Sequence, residues 1–389
     1  MRAIEIKKNI YWVGAIDWEL SEFHGYLTQR GSSYNAYLII DEKIVLVDTV
    51  KSHITDEMIS RIKTIIDPSK IDIIISNHTE MDHSGSIPEI MKYSPNATVI
   101  CSPNGEKGLK KHFDTSSWEF KVVNIGDKIN IGKRDLSFIL MQMVHWPDSM
   151  ATYCCQDKLL MPNDIFGQHI ASYERFVDEK HFDIVMEEAK KYFANILLPY
   201  SKQSLSAVTK IEKLDIDMIA PSHGLIWRGS DVEKILKAYD KWDNNITENK
   251  AVIVYDTMWG TTKKMAMSLY KAFEEKNINV EIKNLRKTHI SDIMRDVLDA
   301  KYICVGSPTL NNTMMPTVAA FLYYLKGLRP QNRIAIAFGS YGWGGQSLDE
   351  IKQIFEFLKY QILDTIKFEY IPSQDDLDKI EKELKNKLG

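Results

Sequence analysis

His78-Thr79-Glu80-Met81-Asp82-His83 follows closely on the apolar run Ile71-Asp72-Ile73-Ile74-Ile75. Four residues of metal-ligand type within six positions, released where a strand ends, put imidazole and carboxylate within reach of a common point. The same arrangement recurs three times downstream. His145 follows the apolar residues 136–144, Asp164 follows 158–162 and His223 follows 216–220. Strand ends meeting at one edge of a layered fold hold side chains rigidly.

The candidate ligands are therefore His78, Glu80, Asp82, His83, His145, Asp164 and His223. Seven are too many for one tetrahedral ion and suit two ions that share a carboxylate, each keeping a position open for substrate. Asp164 is the natural bridge. Four neutral imidazoles and three carboxylates carry −3, so two divalent ions leave +1, a balance without strain. Zinc would be satisfied by this set, but Glu80 is a harder ligand than imidazole and tolerates a rise in metal charge, which favours iron. His53, His112, His169, His181 and His289 lack such a setting and read as surface or packing residues. His24, in Phe23-His24-Gly25-Tyr26, has two readings: it orients a ligand or donates a proton, or it is an ordinary loop histidine.

A chain of 389 residues exceeds one usual core, so two domains are expected. Hydrophobic content of 44% and charged content of 26% are those of a globular protein. A net charge of −4 leaves no electrostatic footprint for nucleic acid or an anionic membrane. The first residues lack the apolar core of a signal peptide, and no apolar stretch is long enough to span a bilayer, so a cytoplasmic protein is expected. Four cysteines form no C-x-x-C pair, which argues against a disulfide framework and a Cys-ligated metal.

Strand-type runs at 36–40, 44–47, 71–75, 97–101, 121–124, 136–143 and 152–155 alternate with helices. The clearest helix carries Ile54, Met58, Ile62, Ile65 and Ile66 on one face and stops at Asp67-Pro68. Two sheets packed face to face with helices outside are expected. The polar stretch 241–249 breaks the periodicity and places the boundary between domains 1–248 and 249–389.

Beyond it, strand, loop and helix alternate strictly, the pattern of a doubly wound parallel sheet. The strand 251–255 runs into Asp256-Thr257-Met258-Trp259-Gly260-Thr261-Thr262 and then a helix with Met265, Leu269 and Phe273 on its buried face. Hydroxyls and amides at such a helix start suit a phosphate monoester. Two later strands end in Ser307-Pro308-Thr309-Leu310-Asn311-Asn312 and in Gly339-Ser340-Tyr341-Gly342-Trp343-Gly344-Gly345. Aromatic rings among glycines can stack on a flat heterocycle, so the phosphate and stacking sites together indicate flavin mononucleotide, FMN. No G-x-G-x-x-G follows Tyr255, which argues against a tightly held NAD.

The H-x-E-x-D-H cluster with His145, Asp164 and His223, followed by this FMN-type domain, resembles the A-type flavodiiron proteins, reductases of oxygen or nitric oxide, over nearly the whole chain. The resemblance implies a metallo-β-lactamase-like αββα sandwich followed by a flavodoxin-like domain. It implies one iron held by His78, Glu80, His145 and Asp164, and a second by Asp82, His83, Asp164 and His223. It also implies a head-to-tail homodimer, or a dimer of dimers, with the flavin of one subunit beside the di-iron site of the other. Trp259 stands where flavodoxins commonly carry threonine, and no cysteine-rich rubredoxin module precedes the end at Gly389. Electrons are therefore expected from a separate donor, rubredoxin or reduced coenzyme F420. His24 and Tyr200 are candidates for proton delivery, with a packed tyrosine the alternative at Tyr200. Two rival readings are a dizinc hydrolase with an appended flavodoxin-like module, and an electron carrier whose metal is structural.

Overall fold

The computed structural model describes residues 1–388, which divide into two compact units. The first comprises Met1–Phe193 and Tyr200–Asp240; the second takes Ala194–Pro199 and the chain from Lys241 onward. The stretch read as a linker is short. Helix Ser230–Asp243 enters it from one side and strand Glu248–Tyr255 begins at its other end.

Period-two patterning builds the first unit. Its larger sheet has seven strands in the order Ile4–Lys7, Ile10–Trp12, Tyr37–Ile40, Ile44–Val47, Ile73–Ser76, Thr98–Cys101 and Glu119–Val122. Tyr37, Ile39, Val45, Val47, Ile73 and Ile75 face inward, into one apolar cluster shared with Leu136, Phe138, Met150, Leu159, Met161 and Met218 of a six-stranded sheet. The alternate residues Leu38, Leu46, Ile74 and Val99 pack outward against Met58, Ile62, Ile90 and Leu109 of the helices. Burial on both faces explains why these strands read as continuous apolar runs rather than alternating ones.

Several expected elements are shorter than the sequence suggests. The helix with Met58 on its inner face spans Thr55–Ile62, and its end tightens into i→i+3 bonds from Thr64 to Arg61 and from Ile65 to Ile62, well before Pro68. The strand leading to His145 ends at Leu140, because Met143 takes a positive φ of 65° and the chain turns, with Val144 bonded back to Met141. The strand before His223 is only Met218–Ile219.

The second unit is a five-stranded, wholly parallel sheet in the order Asn279–Asn284, Glu248–Tyr255, Ala300–Gly306, Ile334–Tyr341 and Gln361–Glu369. Helix Thr261–Glu274 buries Met265, Leu269 and Phe273 on it, as the spacing predicts. Where strand ends come close, side chains are excluded: a Cβ on Gly339 would lie 1.9 Å from the Ser307 carbonyl oxygen. One ion pair in this unit gives a pH-dependent increment of stability. Burial pushes the Asp296 carboxyl up, but Lys283 Nζ at 2.7 Å and Arg295 more than reverse this and hold it below its ordinary value. Its contribution is complete above the unfolded value of about 3.9 and fades as the pH falls through the folded one. Asp296→Asn is expected to cost about 1–2 kcal/mol at pH 7 in urea denaturation, with the gap to the parent protein closing as the pH falls below the ordinary carboxylate range.

Candidate functional site

The loop after strand Ile73–Ser76 carries His78 and Glu80, and the helical turn Met81–Ser84 carries Asp82 and His83. His145 comes from the loop after Asp135–Leu140, Asp164 follows Leu159–Met161, and His223 lies between Met218–Ile219 and Trp227–Arg228. All seven meet, in two groups: His78, Glu80, His145 and Asp164, and Asp82, His83 and His223. Every one but His145 is buried.

Asp164 faces both groups, one oxygen to each. Its Oδ2 lies 3.2 Å from His145 Nε2 and 3.7 Å from His78 Nε2. Its Oδ1 lies 3.0 Å from His83 Nε2 and 3.4 Å from His223 Nε2. Glu80 Oε2 completes the first group at 3.3 Å from both His78 and His145. Asp82 Oδ2 completes the second at 3.3 Å from both His83 and His223.

These atoms fit two cations. Around an ion with bonds of about 2.1 Å, neighbouring tetrahedral or octahedral donors lie about 3.0–3.4 Å apart. Yet both oxygens of Asp82, Nε2 of His83 and Oδ2 of Asp164 are buried without a hydrogen-bond partner. Leaving such atoms unmatched costs about 1–3 kcal/mol each, so close approach without alignment is what atoms aimed at a shared third point would show. The electrostatics agree. Burial alone would lower His83 and His145, but Asp82 and Asp164 raise the first, and Asp164 and Glu80 the second, to about 9. Burial likewise pushes Glu80 up, and contacts with His145, His24 and His78 bring it well below its usual range. Positive charge is called for at this point, and metal ions supply it without protonating the imidazoles.

Outer contacts fix the ligands' orientation. His78 Nδ1 lies 2.9 Å from Asp148 Oδ2, which also accepts from the Thr79 amide at 2.7 Å. His223 Nδ1 lies 2.9 Å from the Ser33 carbonyl oxygen. The Ser222 hydroxyl donates to Asp164 Oδ1 at 2.9 Å. His24 Nε2 lies 2.6 Å from Glu80 Oε1, the oxygen turned away from the other imidazoles.

In the second unit the loops after Glu248–Tyr255, Ala300–Gly306 and Ile334–Tyr341, three neighbouring strands, share the carboxyl edge of the sheet. Asp256 braces the first, accepting from the Thr257 amide, Arg286 Nε and Thr317 Oγ1, each at 2.6 Å. Gly260, at φ 87°, caps helix Thr261–Glu274, and its amide donates to Thr257 Oγ1 at 3.0 Å. Thr262 Oγ1 is buried at the helix start without a partner. In the second loop Asn311 and Asn312 take positive φ, and Thr309 Oγ1 pairs with Ser347 Oγ at 2.8 Å. In the third, Trp343 is 90% exposed, and Trp259 in the first is 91% exposed. An unpartnered hydroxyl at a helix N-terminus and two uncovered indoles fit a phosphate and a flat ring.

The family model described as ODP family beta lactamase matches residues 33–224, and the flavodoxin model matches residues 253–383. A protein of Moorella thermoacetica named nitric oxide reductase is 42% identical, over 97% of this chain and 96% of its own length. The structure of rubredoxin oxygen:oxidoreductase from Desulfovibrio gigas superposes with a TM-score of 0.96 at 37% identity, covering both chains completely. That of the flavodiiron protein from Giardia intestinalis does so at 0.97 and 34%, covering 99% of this chain and 96% of the other. The chain belongs to the flavodiiron proteins. Its αββα sandwich is thus a metallo-β-lactamase-like domain and its parallel sheet a flavodoxin-like one.

Within this flavodiiron chain the seven metal candidates lie together, and His24 reaches Glu80. Tyr200 does not join them. It caps helix Ser201–Ile211, and none of the cluster's hydrogen bonds, ion pairs or ring contacts involves it. Tyr192 and Tyr34, not singled out from sequence, are buried tyrosines at the site, their rings 5.9 Å and 5.7 Å from that of His223. His169, read as a surface or packing residue, is fully buried, with its ring 4.9 Å from His223 and Nδ1 2.8 Å from Ser32 Oγ. Asp148 was also missed: three residues after His145, it has the look of any loop carboxylate. Thr262→Val removes a hydroxyl that spends no hydrogen bond within the protein. It is expected to weaken FMN binding about 10–100-fold in a fluorescence titration, with melting of the FMN-free protein unchanged.

Proposed function

We propose that the chain reduces dioxygen to water, nitric oxide to nitrous oxide, or both, at a non-haem di-iron centre in the first unit supplied by FMN held in the second. The observation that carries this reading is Asp164, which offers one oxygen to each of two donor groups. On it, His78, Glu80, His145 and Asp164 hold one iron, and Asp82, His83, Asp164 and His223 the other. When bound, two ferrous ions and a two-electron-reduced flavin together supply the four electrons that dioxygen requires, and two suffice for two molecules of nitric oxide.

The chain's own groups give the site its shape. Asp148 and the Ser33 carbonyl fix the tautomers of His78 and His223, leaving Nε2 of each as the ligand atom. Ser222 holds Asp164 by the oxygen of the second group. His24, exposed to solvent and bonded to Glu80, has its pKa raised by that hydrogen bond and stands where a proton would pass from solvent to the cluster. Thr257 to Thr262, Ser307 to Asn312 and Ser340 to Gly344 would hold FMN, the exposed indole of Trp343 offering a face on which its ring would stack.

The dizinc hydrolase reading is disfavoured, because the named relatives matched along both units are oxidoreductases. Among the described residues no helix is long and apolar enough to cross a membrane. The relative named rubredoxin-oxygen oxidoreductase supports rubredoxin as donor, ahead of reduced F420. A head-to-tail homodimer would bring one subunit's flavin to the other's irons. Anaerobic stopped-flow of the fully reduced protein against each gas tests the reading: flavin and iron should reoxidise together within turnover time. Flavin reoxidation with the metal signal unmoved would refute it.

A further inference from the structure

The loop that presents His223 is clamped from behind by one side chain outside both donor groups. Asn35 lies between strands Ser32–Tyr34 and Tyr37–Ile40 and is fully buried. Its amide donates to the Ser222 carbonyl at 2.7 Å. Its Nδ2 donates to the Pro221 carbonyl at 2.8 Å and to that of Gly224 at 3.0 Å, the residues on either side of Ser222 and His223. Its Oδ1 accepts from Trp12 Nε1 at 2.8 Å and from Ser33 Oγ at 3.0 Å. Both donors and both lone pairs of the carboxamide are used, so it has one orientation only.

Two further contacts tie the clamp to the ligand. The Gly224 amide donates to Ser33 Oγ at 2.8 Å, and the carbonyl of the same Ser33 orients the His223 ring. Behind Asn35, the Trp12 ring packs against two guanidinium groups, Arg61 at 4.7 Å and Arg175 at 4.4 Å, which restrain the indole in turn. The other donor group has a separate support, since His78 is oriented by Asp148.

On the di-iron reading above, we infer that Asn35 is a positioning residue for one of the two ions, that of Asp82, His83 and His223, and not for the other. An aspartate at this position would turn a carboxylate oxygen toward the carbonyls of Pro221 and Gly224 and push the loop away. Removing the Ser33 hydroxyl loosens the clamp without touching the carbonyl that holds His223.

Anaerobic ferrous titration of the FMN-loaded protein against a competing chelator, followed by Mössbauer spectroscopy with 57Fe, tests this. The parent protein should take up two ions. Asn35→Asp should bind one as before and the other about 10–100-fold more weakly, losing the magnetic coupling while the retained ion keeps its quadrupole doublet. Ser33→Ala, the milder change, should weaken the same step less, and near-UV circular dichroism with a cooperative melt of the iron-free protein reports that the first unit of each variant is folded. Two ions bound as tightly as in the parent, with only a lowered melting temperature, would overturn the inference, as would equal weakening of both steps. Failure of the parent protein to bind two ions would instead refute the di-iron reading.

Discussion

Asp164→Ala is expected to reduce iron content from two per chain to one or none and to lower turnover with oxygen and nitric oxide by at least about 1,000-fold, the equivalent of about 4 kcal/mol. The reason is geometric. Asp164 is the one residue whose two oxygens face different groups, at 3.2 Å from His145 and 3.0 Å from His83. Alanine removes a donor from each group at once and brings net negative charge down where two dications must be balanced. Asp164→Asn keeps the volume and one carbonyl oxygen, so it should retain metal in the group that keeps the oxygen and lose the coupling between ions. Metal analysis beside steady-state gas consumption separates the two variants. An Asp164→Ala protein that kept two irons and near-normal turnover would show that the carboxylate does not bridge.

The second large effect is expected at Asp148, which touches no other carboxylate and is not itself placed to meet an ion. Asp148→Ala leaves the Nδ1 of His78 and the Thr79 amide buried without an acceptor. It also frees the imidazole, otherwise fully enclosed, to turn. Loss of such an outer partner typically lowers metal affinity about 10–100-fold, and the loss should fall on the ion held with His78, Glu80 and His145. Metal content at graded chelator concentrations checks it, with FMN content constant because the change lies in the other unit. The contrast with Asn35, whose variants should weaken the opposite ion, makes the pair a test of whether each group is supported independently.

Much of this was legible in the sequence because it is local. The spacing His78-x-Glu80-x-Asp82-His83 survives any error in the strand before it, and that strand is indeed displaced to Ile73–Ser76. His145 and His223 were found by their place after apolar runs even though the regular strands end early, at Leu140 and Ile219. The parallel sheet of the second unit was legible because strand and helix alternate with clear periodicity, from Glu248–Tyr255 into Thr261–Glu274.

What could not be read was long-range. Nothing in the sequence near Asp148 separates a carboxylate that orients a histidine from one like Asp164 that faces four, because the difference lies in where His78 points, 70 residues away. Tyr200 and Tyr192 are equivalent by composition; only the course of the helix ending at Tyr192 brings that ring beside His223. Asn35 is still less visible, since its role depends on the carbonyls of a loop 186–189 residues distant.

The most direct test of the central claim is the metal content and Mössbauer spectrum of protein prepared without air and supplied with 57Fe. Two iron atoms per chain, coupled to each other and accompanied by one FMN, are the predicted result. A single isolated ion, or zinc filling both groups with no oxidase or nitric oxide reductase turnover, would contradict it.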